Sequence, residues 1–190
     1  MKQMEDKILK EGVVLPGDIL KVGSFLNQNI DTQLLNQMGQ EIARLFEAEN
    51  PTKILTIEAS GIAIAAAAGL AMGVPVLFAK KHITSNVDGD VYSTVVHSFT
   101  HNADYNVVVS KDYLRAEDRV LLVDDFLANG KALEGLMDLC DQAGATLVGV
   151  AIAIEKCFTG AGDKFRAQGV RLESLAAIES MSENEIVFRS

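Results

Sequence analysis

Three stretches constrain what this chain can fold into: KILTIE (53–58), RVLLVD (119–124) and TLVGVAIAIE (146–155). Each is an unbroken apolar run. A strand with one wet face alternates apolar and polar residues; a strand buried on both faces does not. The runs therefore predict a parallel sheet covered by helices on both sides, an α/β architecture. The segments between them have helical character. Residues 61–72 read as a small-residue helix leading into a short strand, VPVLFA (74–79), and residues 130–142 read as a helix closed by Gly144. Upstream, Leu34, Leu35, Met38, Ile42, Leu45 and Phe46 recur at helical spacing over 32–47. Asp31 or Thr32 can cap that helix, and Asn50-Pro51 stops it. Residues 2–11 suggest a short amphipathic helix.

The rhythm breaks at 82–113. This stretch is polar, contains Asp88-Gly89-Asp90, and holds two alternating segments, VYSTVVHSF and YNVVVS. They predict an antiparallel excursion with a mobile connection, placed where a cover for an active site would be. No repeat or linker divides the chain, so one domain over 1–190 is expected. Residues 61–79 carry no charge and are long enough to span a bilayer, but Gly73-Val74-Pro75 breaks the run into helix and strand. The N-terminus lacks the apolar core of a signal peptide. Cys140 and Cys157 have no metal-like spacing and read as buried thiols, which fits a cytoplasmic location. The formal net charge of −9 opposes nucleic acid or an anionic membrane as main partner. His97 and His101 are four apart, but they lie in strand-like or loop sequence and do not read as a metal site.

The chemistry begins where the third strand meets VLLVDDFLANGKAL (120–133). In an open parallel sheet, ligands bind beyond the carboxyl ends of the strands. Asp124 and Asp125 stand there, followed by a small-residue turn and a helix start. The first N–H groups of a helix lack internal partners, so such a turn can cradle a phosphate. Phosphate on the helix and sugar hydroxyls on the carboxylates would suit a phosphorylated sugar. An acidic pair at a strand end also serves as a metal site in receiver domains and phosphatases, or merely caps a turn.

The same stretch resembles the phosphoribosyl-diphosphate (PRPP) signature of type I phosphoribosyltransferases, with Asn129 where the usual pattern has Thr. EGVVL, LKVGSFLNQNID, TIEASGIA, GVPVLFAKKH, QAGA and IEKCF extend the similarity nearly end to end, to the bacterial branch that acts on xanthine. The resemblance implies a central, mainly parallel sheet flanked by helices. It also implies a hood formed by about 1–30 and the C-terminal segment, and a flexible active-site loop within 82–106. It implies that Asp124 and Asp125 hold the ribose and that Ala128, Asn129, Gly130, Lys131 and Ala132 hold its 5′-phosphate. Glu58, Ala59, Ser60 and Gly61, with the basic pair Lys80 and Lys81, would meet the diphosphate. Leu20, Asn27 and Lys156 would select the base.

The implied reaction transfers ribose 5-phosphate from PRPP to xanthine, in purine salvage, with Mg²⁺ held mainly by PRPP and no dedicated protein metal site. A homodimer is also implied. Guanine, hypoxanthine or adenine as the base, and a non-catalytic PRPP-sensing role, are the alternatives. Read without the resemblance, Leu20 is a core residue, Asn27 a cap, Lys80 and Lys81 a solvated face, and Lys156 a partner of Glu155.

Overall fold

The computed structural model describes residues 1–81, 89–98 and 103–189. The apolar runs become the interior of a six-stranded sheet. Its strands are β3 (Lys53–Ile57), β4 (Val76–Ala79), β7 (Arg119–Leu127), β8 (Thr146–Lys156), β9 (Leu172–Ser182) and β10 (Glu185–Phe188). They lie in the order β10-β9-β8-β7-β3-β4, all parallel except β10. A separate hairpin joins β1 (Val13–Leu15) to β2 (Ile19–Lys21), and another joins β5 (Val91–Ser98) to β6 (Ala103–Ser110).

Alternation along the central strands divides the core in two. Ile54, Leu121, Val123 and Ala151 face one side, where α1 (Lys2–Glu11), α2 (Thr32–Phe46) and α3 (Gly61–Met72) cover them. Leu55, Val120, Leu122 and Ile152 face the other, under α4 (Lys131–Ala143) and the β5–β6 hairpin. Asp31 caps α2 by accepting from the amides of Gln33 and Leu34. The alanine-rich α3 is a globular helix: Ile64, Ala65 and Ala68 are fully buried in the first layer. No helix among the described residues is long and apolar enough to cross a membrane.

Two features position the site. First, α3 follows β3 on one face of the sheet and α4 follows β7 on the other, so adjacent strands send their chains to opposite sides. That is a topological switch point, and it leaves a crevice at the strands' carboxyl ends. Second, β7 runs past its apolar segment. Expected to end at Asp124, it continues to Leu127 because β8 pairs with it as far as Leu127↔Glu155. Its pairing with β3 stops at Leu55↔Leu122. Asp124 and Asp125 thus lie on a strand held on one side only, beside the crevice.

The excursion expected in 82–113 is an antiparallel hairpin through its described part, while 82–88 and 99–102 lie outside the described residues. Residues 91–98 and 103–106, placed by the sequence within a flexible loop, are paired strand. The hairpin is fastened at both edges. Lys80 exchanges backbone hydrogen bonds with Val108, and the Gln142 side chain accepts from the Ser93 amide and donates to its carbonyl. The N-terminal segment leans on β9, where the Met1 ammonium donates to the Leu175 carbonyl.

Candidate active site

The crevice is a cavity of about 460 Å³, lined by segments 58–61 and 124–133, Lys81, and residues of the β5–β6 hairpin. Asp124 and Asp125 stand at its centre. Each accepts from the next backbone amide: Asp125 N–H to Asp124 Oδ1 and Phe126 N–H to Asp125 Oδ1, both at 2.9 Å. Burial, and then the charge of Asp125, push the Asp124 carboxyl well above the ordinary 3.8, while Lys81 pulls the other way. Burial raises Asp125 as well, opposed by hydrogen bonds from Asp124, its neighbouring amides and Ser60. Two acids held close in a partly dry cleft resist being charged together. A ligand that brings hydroxyl donors or positive charge relieves them.

Two helix starts converge on the pair. Ser60 is the N-cap of α3, after a cis peptide between Glu58 and Ala59. Gly61 allows the closest approach: a methyl there would sit 2.2 Å from Thr56 Oγ1 and 3.0 Å from Asp124 Oδ1. Gly130 caps α4 in the left-handed region, at φ +81°, and a methyl on it would press to 2.8 Å from the Phe165 ring. Free N–H groups and the positive ends of both helix dipoles therefore face the cavity, an arrangement that favours phosphate. Asn129 Oδ1 accepts from the Lys131 amide at 3.1 Å and so holds one of those donors. The Lys131 ammonium is engaged with Glu134 at 2.7 Å.

Of the residues singled out in the sequence, Glu58, Ala59, Ser60, Gly61, Lys81, Asp124, Asp125 and 128–132 line this one cavity. Glu58 Oε1 accepts from the Lys81 amide at 2.6 Å, which ties the lysine to the loop opposite. Lys80, Leu20, Asn27 and Lys156 lie outside the lining. Lys80 serves the hairpin through its backbone. Leu20 is buried in the first core layer, and Asn27 is exposed at the end of a π-helical turn, Gly23–Asn27. Lys156 donates to the Asp18 carbonyl at 2.6 Å and stands 5.7 Å over the Phe126 ring, which does line the cavity. Burial lowers its pKa from the ordinary lysine value.

Glu155 is not its partner: that carboxylate is 1% exposed, takes a bidentate contact from Arg166 at 2.8 and 2.6 Å, and accepts from Ser174. Sequence reasoning did not single out Phe126, the hairpin residues Val96 and Tyr105, or Thr159. The Thr159 hydroxyl lies 2.5 Å from the Ala128 carbonyl and 2.8 Å from that of Lys156, bracing the turn to the end of β8. Phe126 could have been found from its place inside the acidic motif; the others carry no local signal.

The site is therefore an acidic pair at the switch point of an α/β sheet, standing between the starts of α3 and α4. A sequence model of the family described as "Phosphoribosyl transferase domain" matches residues 27–171, and the chain belongs to that family. The relatives narrow the comparison. A xanthine phosphoribosyltransferase of Bifidobacterium longum subsp. infantis is 53% identical, covering 100% of both chains. One from Lachnoclostridium phytofermentans is 50% identical over 100% of this chain and 98% of its own. Among solved structures, an adenine phosphoribosyltransferase of Giardia lamblia, complexed with 9-deazaadenine, matches with a TM-score of 0.76 at 21% identity. It covers 90% of this chain and 96% of its own. That likeness speaks for the fold alone.

Proposed function

We infer that this chain is an enzyme of purine salvage that transfers ribose 5-phosphate from PRPP to xanthine, giving xanthosine 5′-monophosphate and diphosphate. The observation that carries the reading is one cavity lined by both helix-start turns and the acidic pair, in a chain about half identical, over its whole length, to xanthine phosphoribosyltransferases.

In this reading, residues 128–132 bind the 5′-phosphate at the start of α4. Residues 58–61 and Lys81 bind the diphosphate, with Lys80 beside them. Asp124 and Asp125 accept from the ribose hydroxyls and stabilise positive charge as the bond to diphosphate lengthens. Diphosphate is already a good leaving group, so position and electrostatics supply most of the rate. The carboxylate oxygens are hard donors and suit a hard cation carried in by the donor. Mg²⁺ would be held mainly by the diphosphate and ribose oxygens, and when bound it neutralises charge on the departing diphosphate.

The base enters between the N-terminal hood, drawn from about 1–30 with the C-terminal strands, and the end of β8. Lys156 reaches toward an oxo group across Phe126, with Leu20 and Asn27 on the hood side. In this reading the protein works as a homodimer in the cytoplasm.

A competition assay tests the reading: xanthine, guanine, hypoxanthine and adenine offered together with PRPP and Mg²⁺. Xanthosine monophosphate should dominate. Another nucleotide in excess overturns the choice of base, and absence of any nucleotide overturns the enzyme.

A further inference from the structure

Thr56 lies in β3, two residues before the 58–61 loop. It is fully buried, and its Oγ1 has no hydrogen-bond partner among the described residues. An unpaired buried hydroxyl opposes folding, and valine would fill the same space without that penalty. Such a hydroxyl calls for a partner, and the ligand-bound site beside it is the place to look for one.

The surroundings say which. A single point, the place a methyl would take on Gly61, lies 2.2 Å from Thr56 Oγ1 and 3.0 Å from Asp124 Oδ1. Both oxygens therefore crowd the same bare glycine. Asp125 already has a hydroxyl from the loop, that of Ser60. Asp124 Oδ1, the same oxygen, accepts from the Asp125 amide and keeps a second lone pair for a further donor.

We propose that Thr56 is a positioning residue for the transfer reaction: with the sugar-phosphate donor bound, its hydroxyl donates to Asp124 and holds that carboxylate against the ribose. The inference rests on the cavity being the PRPP site. A hydrogen bond to an ionised oxygen is shorter and stronger than a neutral one. It fixes the carboxylate before charge develops on the sugar, so its benefit falls on the transition state. Gly61 and Thr56 then act as one device. The glycine removes the side chain that would separate the two oxygens, and the hydroxyl occupies the space so opened.

The test compares Thr56→Val with Thr56→Ser in the full-length protein. The Val variant should lose kcat by about 10-fold or more while the KM for PRPP stays within ~2-fold, the pattern of an interaction made in the transition state. Its melting temperature should match or exceed wild type. The Ser variant should recover kcat to within ~3-fold of wild type. Wild-type kcat in the Val variant overturns the proposal. So does an equal loss of kcat in both variants together with lowered melting temperatures, because packing would then be the cause. Rates are read with whichever of the four purines the wild type prefers, so a wrong assignment of the base appears in the wild type and leaves the Thr56 comparison intact.

Discussion

At the scale of single residues, Gly61 is the tightest constraint in the site. Any side chain there meets Thr56 Oγ1 at 2.2 Å and Asp124 Oδ1 at 3.0 Å, and Thr56 is fully buried. Gly61→Ala must therefore displace the acid, the loop, or both. Displacement of a catalytic group by ~1 Å can cost about 100-fold in rate, so kcat/KM should fall by about that factor in steady-state assays while circular dichroism stays native. Lys156 makes a different kind of demand. It bridges the end of β8 to the turn of the first hairpin through the Asp18 carbonyl. In the proposed function, Lys156→Ala removes the cation that selects the base and leaves the phosphate turns untouched. The xanthine-to-guanine ratio of kcat/KM should drop by ~10-fold or more, since a site built to pair an oxo group discriminates strongly. The KM for PRPP should hardly move. Equal ratios in wild type and variant would remove Lys156 from base selection.

At the scale of elements, the wall of the cavity depends on how the β5–β6 hairpin is fastened. Gln142 on α4 completes the free edge of β5 as a neighbouring strand would, with one bond accepted and one donated at Ser93. Gln142→Ala removes both. With each bond contributing about 1 kcal/mol, amide exchange in 91–98 should accelerate ~10-fold or more, with β7 and β8 unchanged; hydrogen-exchange mass spectrometry reads both. The elements also show what a sequence can and cannot reveal. The buried strands, α2, α3 and α4 declared themselves because unbroken apolar runs and helical spacing are local signals. The α1 helix and the excursion after residue 82 were legible for the same reason. β9 was not. LESLAAIESMS is rich in Leu, Ala and Glu, all good helix formers, and it becomes a strand because β8 offers it a parallel partner and β10 an antiparallel one. The length of β7 was misjudged for a related reason: two carboxylates look like an ending, yet pairing with β8 carries the strand through them. In the site, the turns and acids were readable as a motif. Thr56, Thr159 and Phe126 take their places through contacts that are remote in sequence or depend on the strand's true length.

At the scale of the whole molecule, the acidic pair sets function against stability. Most of the fold's shifted carboxylates favour the charged, folded state. Burial alone would raise Glu155, but Arg166 and Ser174 together bring it below the ordinary 4.5. That contribution is present above the unfolded value and is lost as pH falls through the lower folded one. Asp124 and Asp125 go the other way. Burial raises both above the ordinary 3.8, so their ionisation at neutral pH works against the folded state. A raised folded pKa gives stability that is present below the unfolded value and lost as pH rises through the folded one. Asp124→Asn removes the repulsion and, in the proposed function, the charge that holds the ribose. At pH 7 the variant should melt ~2–4 °C higher than wild type, the shift that each ~1 kcal/mol brings in a chain of this size. Its turnover should fall by about 100-fold or more. Protonation relieves the wild-type pair in acid, so the gap in melting temperature should close as pH approaches 3.8, the value from which Asp124 is raised. Calorimetry of the two proteins between neutral and acid pH measures that convergence. A gap that widens in acid, or a variant that melts below wild type at pH 7, would mean that the Asp124 charge stabilises the fold it serves.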